Sequence, residues 1–124
     1  MVENSEAGTT LLVRDSAGNE QMLKEWEREA PGMIIANASG EADRYGGGDL
    51  WLMSDEIAYA LDLVHGGLES EESRGSLFFS GKFSDKANVA LLRDMVEVLV
   101  RAVAIAEEAD AAGNGAEVIL RMPN

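Results

Sequence analysis

The chain has 124 residues, 46% of them hydrophobic, no cysteine, and 23 acidic against ten basic side chains, for a formal net charge of −13. That length is enough for one domain with its own core, and the lack of cysteine excludes disulfides, thiolate metal sites and cysteine nucleophiles. The charge disfavours nucleic acid and anionic membrane as partners, because phosphates are held by clustered Lys and Arg.

Residues 1–8, MVENSEAG, lack an apolar pattern and are expected to form a disordered tail, leaving 9–124 as a single domain. TTLLVR, 9–14, alternates and is followed by the turn-forming DSAGN, which predicts a strand. Over 19–29, Met22, Leu23 and Trp26 fall at helical spacing before Pro31-Gly32, so a short helix is favoured. The competing reading is a β-hairpin turning through Asp15, Gly18 and Asn19. GMIIAN, 32–37, is an apolar run bounded by glycine and reads as a strand buried on both faces.

A long loop, 38–48, leads into a further short strand, DLWLM. Ser54 is then expected to cap a helix on which Ile57, Ala60, Leu61 and Val64 form one face, with Gly66-Gly67 as its stop. LESEESRG reads as a polar loop and SLFFSGKF, 76–83, as a half-buried strand. Ser84 and Asp85 open the longest helix, about 85–111, and AEVILRM forms the last strand before Pro123. That helix carries two adjacent apolar rows, through Leu91, Met95, Val98 and Ala102 and through Leu92, Val96, Leu99 and Val103. It is therefore expected either at the centre of the fold or shared with a second copy as a homodimer. The resulting class is α+β: a sheet of about five strands with helices packed on one face and the long helix central.

The residues offer little chemistry. The glycines of RYGGGDLW are followed by a strand, not a helix, and no Lys or Arg lies just downstream, so they do not make a phosphate cradle. GSLFFSGKF lacks the Ser or Thr that would follow the lysine of a nucleotide loop. DSAGNEQMLKEW has Ala17, Glu20 and Trp26 where a calcium loop needs a ligand, a glycine and a glutamate. His65 is the only histidine, close enough to Asp62 to pair with it and placed where a helix C-terminus favours a cation. Asp43, Asp49, Asp55 and Glu56 are near neighbours in sequence, but paired carboxylates without a cleft do not define a reaction. No cofactor or metal is expected.

The residues instead suggest binding without catalysis. The expectation is a small acidic protein of the inhibitor, immunity or anti-defence kind that sequesters a basic protein partner, homodimeric through 85–111. The acidic stretch Glu69, Glu71 and Glu72, together with Asp43 and Trp26, supplies the candidate binding residues. Trp26, on a charged segment, is divided between core and interface, whereas Trp51, in a short apolar strand, is assigned to the core. Two alternatives stand beside this one. In the first, a nucleotide- or metal-binding or enzymatic domain uses the glycine-rich loop 38–48 and His65; in the second, an acidic dimer handles cargo as secretion chaperones do. With no basic segment and apolar run at its start, and its most apolar stretch broken by Glu97 and Arg101, the chain is expected to be cytoplasmic.

Overall fold

The computed structural model describes residues 8–41, 45–78, 84–113 and 115–123. Among them, a hairpin opens the chain: β1 (Thr9–Arg14) pairs antiparallel with β2 (Glu20–Trp26). Asp15 makes the turn. Its Oδ1 accepts from the backbone N–H of Ala17 and of Asn19, both at 2.9 Å, and Gly18 takes the left-handed φ of 89° that closes it. The helix favoured over 19–29 is thus replaced by its competitor. The register slips between Leu11 and Leu12, which leaves Leu23 as an extra residue and lets Leu23 and Trp26 both reach the core while Met22 stays outside.

The strand expected at 32–37 is also corrected, to helix α1 (Ala30–Ser39). Pro31 starts this helix instead of stopping the previous element, because its fixed φ and missing N–H suit the first turn. Gly40, at φ 80°, ends it. Buried Thr9 ties β1 to α1, its Oγ1 donating to the carbonyl of Arg28 and accepting from the N–H of Gly32. A Cβ on Gly32 would run into the Met122 side chain and Thr9 Oγ1, so a larger residue there requires those side chains to move.

Gly47 and Gly48, both at positive φ, turn the chain into β3 (Gly48–Leu52). Helix α2 (Ser54–Glu69) follows, with Met53 at the cap position and Ser54 as the first helical residue. Met53 N–H donates to Glu56 Oε1 at 2.8 Å, so the glutamate does the capping expected of Ser54. The helix does not stop at Gly66-Gly67 but runs through both. Ser70 then caps α3 (Glu71–Leu77), accepting from Ser73 N–H, where a polar loop was expected. Of the strand expected at 76–83, Ser76 and Leu77 belong to α3, and 79–83 lie outside the described residues. Helix α4 (Asp85–Ala112), capped by Ser84, and β4 (Glu117–Met122) complete the chain.

The result is an α+β fold with a four-stranded antiparallel sheet in the order β2-β1-β4-β3, against about five strands expected. Inward-facing Leu11, Trp26, Leu52, Val118, Leu120 and Met122 join residues of α1, α2 and α4 in one core, so the helices cover one face of the sheet. Both apolar rows of α4 are occupied within the single chain, by α2 and by the sheet, with Leu91, Leu92, Met95, Val98 and Leu99 all buried. The first of the two placements expected for this helix therefore accounts for them without a second copy. Val100 is the large apolar side chain of α4 left exposed. No helix among the described residues is long and apolar enough to cross a membrane.

Candidate functional site

The helix-free face of the sheet carries the most organised polar structure among the described residues. Alternation along β1 and β4 sends Leu11 and Leu120 inward and Arg14, Leu12, Ile119 and Arg121 outward. The two arginines are on the two central strands, and Glu20 and Asp49 are on the two edge strands. All four converge. Arg121 Nε donates to Asp49 Oδ1 at 2.6 Å, its Nη1 to Glu20 Oε1 at 3.0 Å, and its Nη2 to both carboxylates at 2.9 Å. Arg14 Nη2 donates to Asp49 Oδ2 at 2.7 Å and to Glu20 Oε2 at 3.0 Å. Each carboxylate is thus shared by both guanidinium groups, and the ring of four charges ties edge to edge across the sheet.

This ring explains a burial that the helices do not. Leu12 and Ile119 are direct partners across β1 and β4 on the uncovered face, yet each is only 2% exposed. Arg14 and Arg121 flank that pair from opposite ends and reach the same acceptors, so their aliphatic stems cross over it. Met22 and Trp51 extend the same row onto the edge strands, where nothing covers them, and each is 59% exposed. Trp51, assigned to the core, therefore faces out, because Leu50 and Leu52 take the inward positions of β3. Trp26 is the buried tryptophan, 6% exposed within the core, and leaves little surface for a partner.

The guanidinium groups hold Glu20 and Asp49 at a pKa of about 2, well below the usual carboxylate range, chiefly through the Arg121 hydrogen bonds. The same contacts raise both arginines further above the physiological range. Carboxylates with such low proton affinity and every oxygen engaged are poor general bases. The arrangement acts as a clasp. Beside it lies an open cleft of about 770 Å³, lined by Thr10, Glu25, Trp26, Asp49, Arg121 and Pro123 among others. The indole N–H of Trp26 is buried, with no acceptor among the described residues.

The residues singled out from sequence are spread elsewhere. Glu69 ends α2 and Glu71 and Glu72 begin α3; all three side chains are exposed and none forms a salt bridge among the described residues. Asp43 lies outside the described residues. Of the loop expected at 38–48, Ala38 and Ser39 belong to α1 and Gly48 to β3; Tyr45 Oη donates to the Gly48 carbonyl at 2.6 Å, and β3 separates this stretch from the N-terminus of α2. His65 is exposed in α2, a turn short of its end, with no hydrogen bond to Asp62. Asp55 and Glu56 are in the first turn of α2, while Asp49 is held in the clasp, so the acidic neighbours in sequence do not pair. No group of three or more His, Asp or Glu among the described residues is placed to hold a metal ion.

Sequence reasoning missed the clasp, although the alternation that sends Arg121 outward from Val118 and Leu120 was visible in it. Neither a protein-family model, nor a curated protein, nor a solved structure matches this chain.

Proposed function

We propose that this chain is a non-enzymatic acidic binding protein that holds a basic protein partner. The observation that supports it best is the direction in which charges point at the α2–α3 junction. Arg74, the cation of that segment, is turned inward: its Nε donates to Asp85 Oδ1 at 2.7 Å and its Nη1 to the carbonyl of Gly67 at 2.6 Å. Glu69, Glu71 and Glu72 are left at the surface around it. Elsewhere Arg14 and Arg121 are paired with the carboxylates of the clasp, and Arg28 donates to Asn88 Oδ1 with its guanidinium 5.3 Å from the centre of the Phe78 ring. With Arg14, Arg28, Arg74 and Arg121 committed to partners within the chain, and Lys24, Lys86, Arg93 and Arg101 the remaining cations among the described residues, a chain of net charge −13 keeps a surface suited to a basic protein.

The test replaces Glu69, Glu71 and Glu72 together by glutamine and follows association with a basic partner at low and high salt. Slower association at low salt, with the difference fading as salt screens the field, is the expected result. An on-rate indifferent to both the substitutions and the salt refutes the role of this junction.

A small-ligand reading keeps one specific support, the cleft beside the clasp, in place of the loop 38–48 and His65. A thermal-shift screen with nucleotides and small cations tests it, and a flat response rejects it.

A further inference from the structure

We propose that β3 is the docking strand of this protein, adding an extended basic segment of the partner to the edge of its sheet. This rests on the reading of the chain as a binder of basic proteins and names the place and manner of contact.

An edge strand presents alternate N–H and C=O groups with no partner, and proteins usually protect such an edge. The two edges here differ. β2 is interrupted by its bulge opposite Leu11/Leu12 and carries Glu20, Lys24 and Glu25, features that deter pairing. β3 has fewer of these devices: Gly48–Leu52 carries a single charge, Asp49, which the clasp holds against Arg14 and Arg121, contains no proline, lysine or bulge, and pairs in unbroken register with β4 on its inner side. On its other side no backbone hydrogen bond is made among the described residues; the Gly48 carbonyl accepts from Tyr45 Oη.

The side chains along this edge fit a basic occupant. Trp51 offers an open indole face, and Met53 beside it is 56% exposed, so apolar contact and cation–π stacking by Arg or Lys are both available. Asp55 follows at the start of α2, and Ser54 Oγ donates to Asp110 Oδ2 at 3.3 Å, bringing the acidic C-terminal end of α4 to the same place. Asp55, Glu107 and Asp110 are exposed there, next to a helix C-terminus whose dipole also favours positive charge. An added strand would gain main-chain hydrogen bonds from β3, cover half-buried Leu50, and set basic side chains over Trp51 on the helix-free face while its end approaches the carboxylates near Ser54. A second copy of this chain is a poorer occupant, since it would set two molecules of charge −13 edge to edge.

The probe is a blocked synthetic peptide of about ten residues alternating arginine and valine. One control has the same sequence with alternate backbone amides N-methylated, and another has glutamate for arginine. Binding is measured by calorimetry at low salt and mapped by amide chemical shifts and exchange. The expected result is binding of the arginine peptide, with shifts and new protection centred on Gly48–Leu52. N-methylation and Trp51→Ala should each weaken it by roughly tenfold, and the glutamate peptide should not bind. If the methylated peptide binds equally well, or the shifts fall elsewhere, edge pairing is wrong while the acidic-binder reading stands. No binding of the arginine peptide at about millimolar concentration overturns the docking strand, and the glutamine variants of the junction then decide the broader reading separately. Protection of Gly48–Leu52 without peptide, in a chain that scatters light as a dimer, overturns it in favour of a second copy.

Discussion

Arg121 holds two carboxylates that arrive from opposite edges of the sheet, and this makes it the residue with the widest influence on the uncovered face. Glu20 and Asp49 titrate at about 2 in the folded chain, against ordinary values of 4.5 and 3.8. A depressed folded-state pKa means the unfolded chain takes up protons first. The stabilisation is therefore present above the unfolded values and is lost as pH falls towards about 2. Both carboxylates remain about one-third exposed, at 37% and 34%, so salt weakens the effect. Arg121→Gln should raise both titrations towards their ordinary values, seen in the carboxyl carbon shifts. It should also leave the variant less stable at neutral pH, by a margin that shrinks as the solution is acidified. Carboxylates that still titrate near 2 in the variant would show that Arg121 is not what holds them.

At the scale of the element, the glycine pair of α2 separates two uses of the same residue. A Cβ on Gly67 would lie 2.6 Å from Leu77 Cδ1 and 3.0 Å from Leu92 Cδ1, where α3 and α4 close on the helix, whereas one on Gly66 would meet nothing within 4 Å. Gly67→Ala should therefore destabilise the protein by about 1–3 kcal/mol through overpacking. Gly66→Ala should stabilise it by about 0.5–1 kcal/mol, because alanine is the better helix former. Urea unfolding of the two variants gives the sign directly, and a gain in both would refute the close crossing at Gly67. The same crossing explains why two adjacent glycines do not stop α2. The small size of Gly67 is used for packing, and the helix continues to Glu69.

At the scale of the molecule, the excess of acidic groups opposes folding by self-repulsion while the clasp and the Arg74–Asp85 pair favour it. Salt screens both, but the ion pairs are few and local whereas the surplus of 13 negative charges acts over the whole surface. Raising sodium chloride from about 0.01 M, where the screening length is about 30 Å, to about 1 M, where it is about 3 Å, should therefore raise the melting temperature. Calorimetric scans at the two concentrations check this, and a fall in melting temperature would mean that the ion pairs outweigh the repulsion.

What the sequence determined by itself was local in origin. Alternation located β1, β3 and β4; the apolar face of Ile57, Ala60 and Val64 located α2; and Ser84 with the long apolar rows located α4, because each pattern sits within its own element. Residues 20–26 and 32–37 were exchanged between helix and strand, since a bulge breaks the alternation of the first and an unbroken apolar run such as MII has no period to read. Only the tertiary structure decided which face of each strand would be covered, and hence that Trp51 is exposed and Trp26 buried. It alone also brought Arg14, Glu20, Asp49 and Arg121 together, with Arg121 bonded to Glu20 across 101 residues of sequence. Their meeting depends on the strand order β2-β1-β4-β3, which long-range pairing sets and which no local pattern encodes.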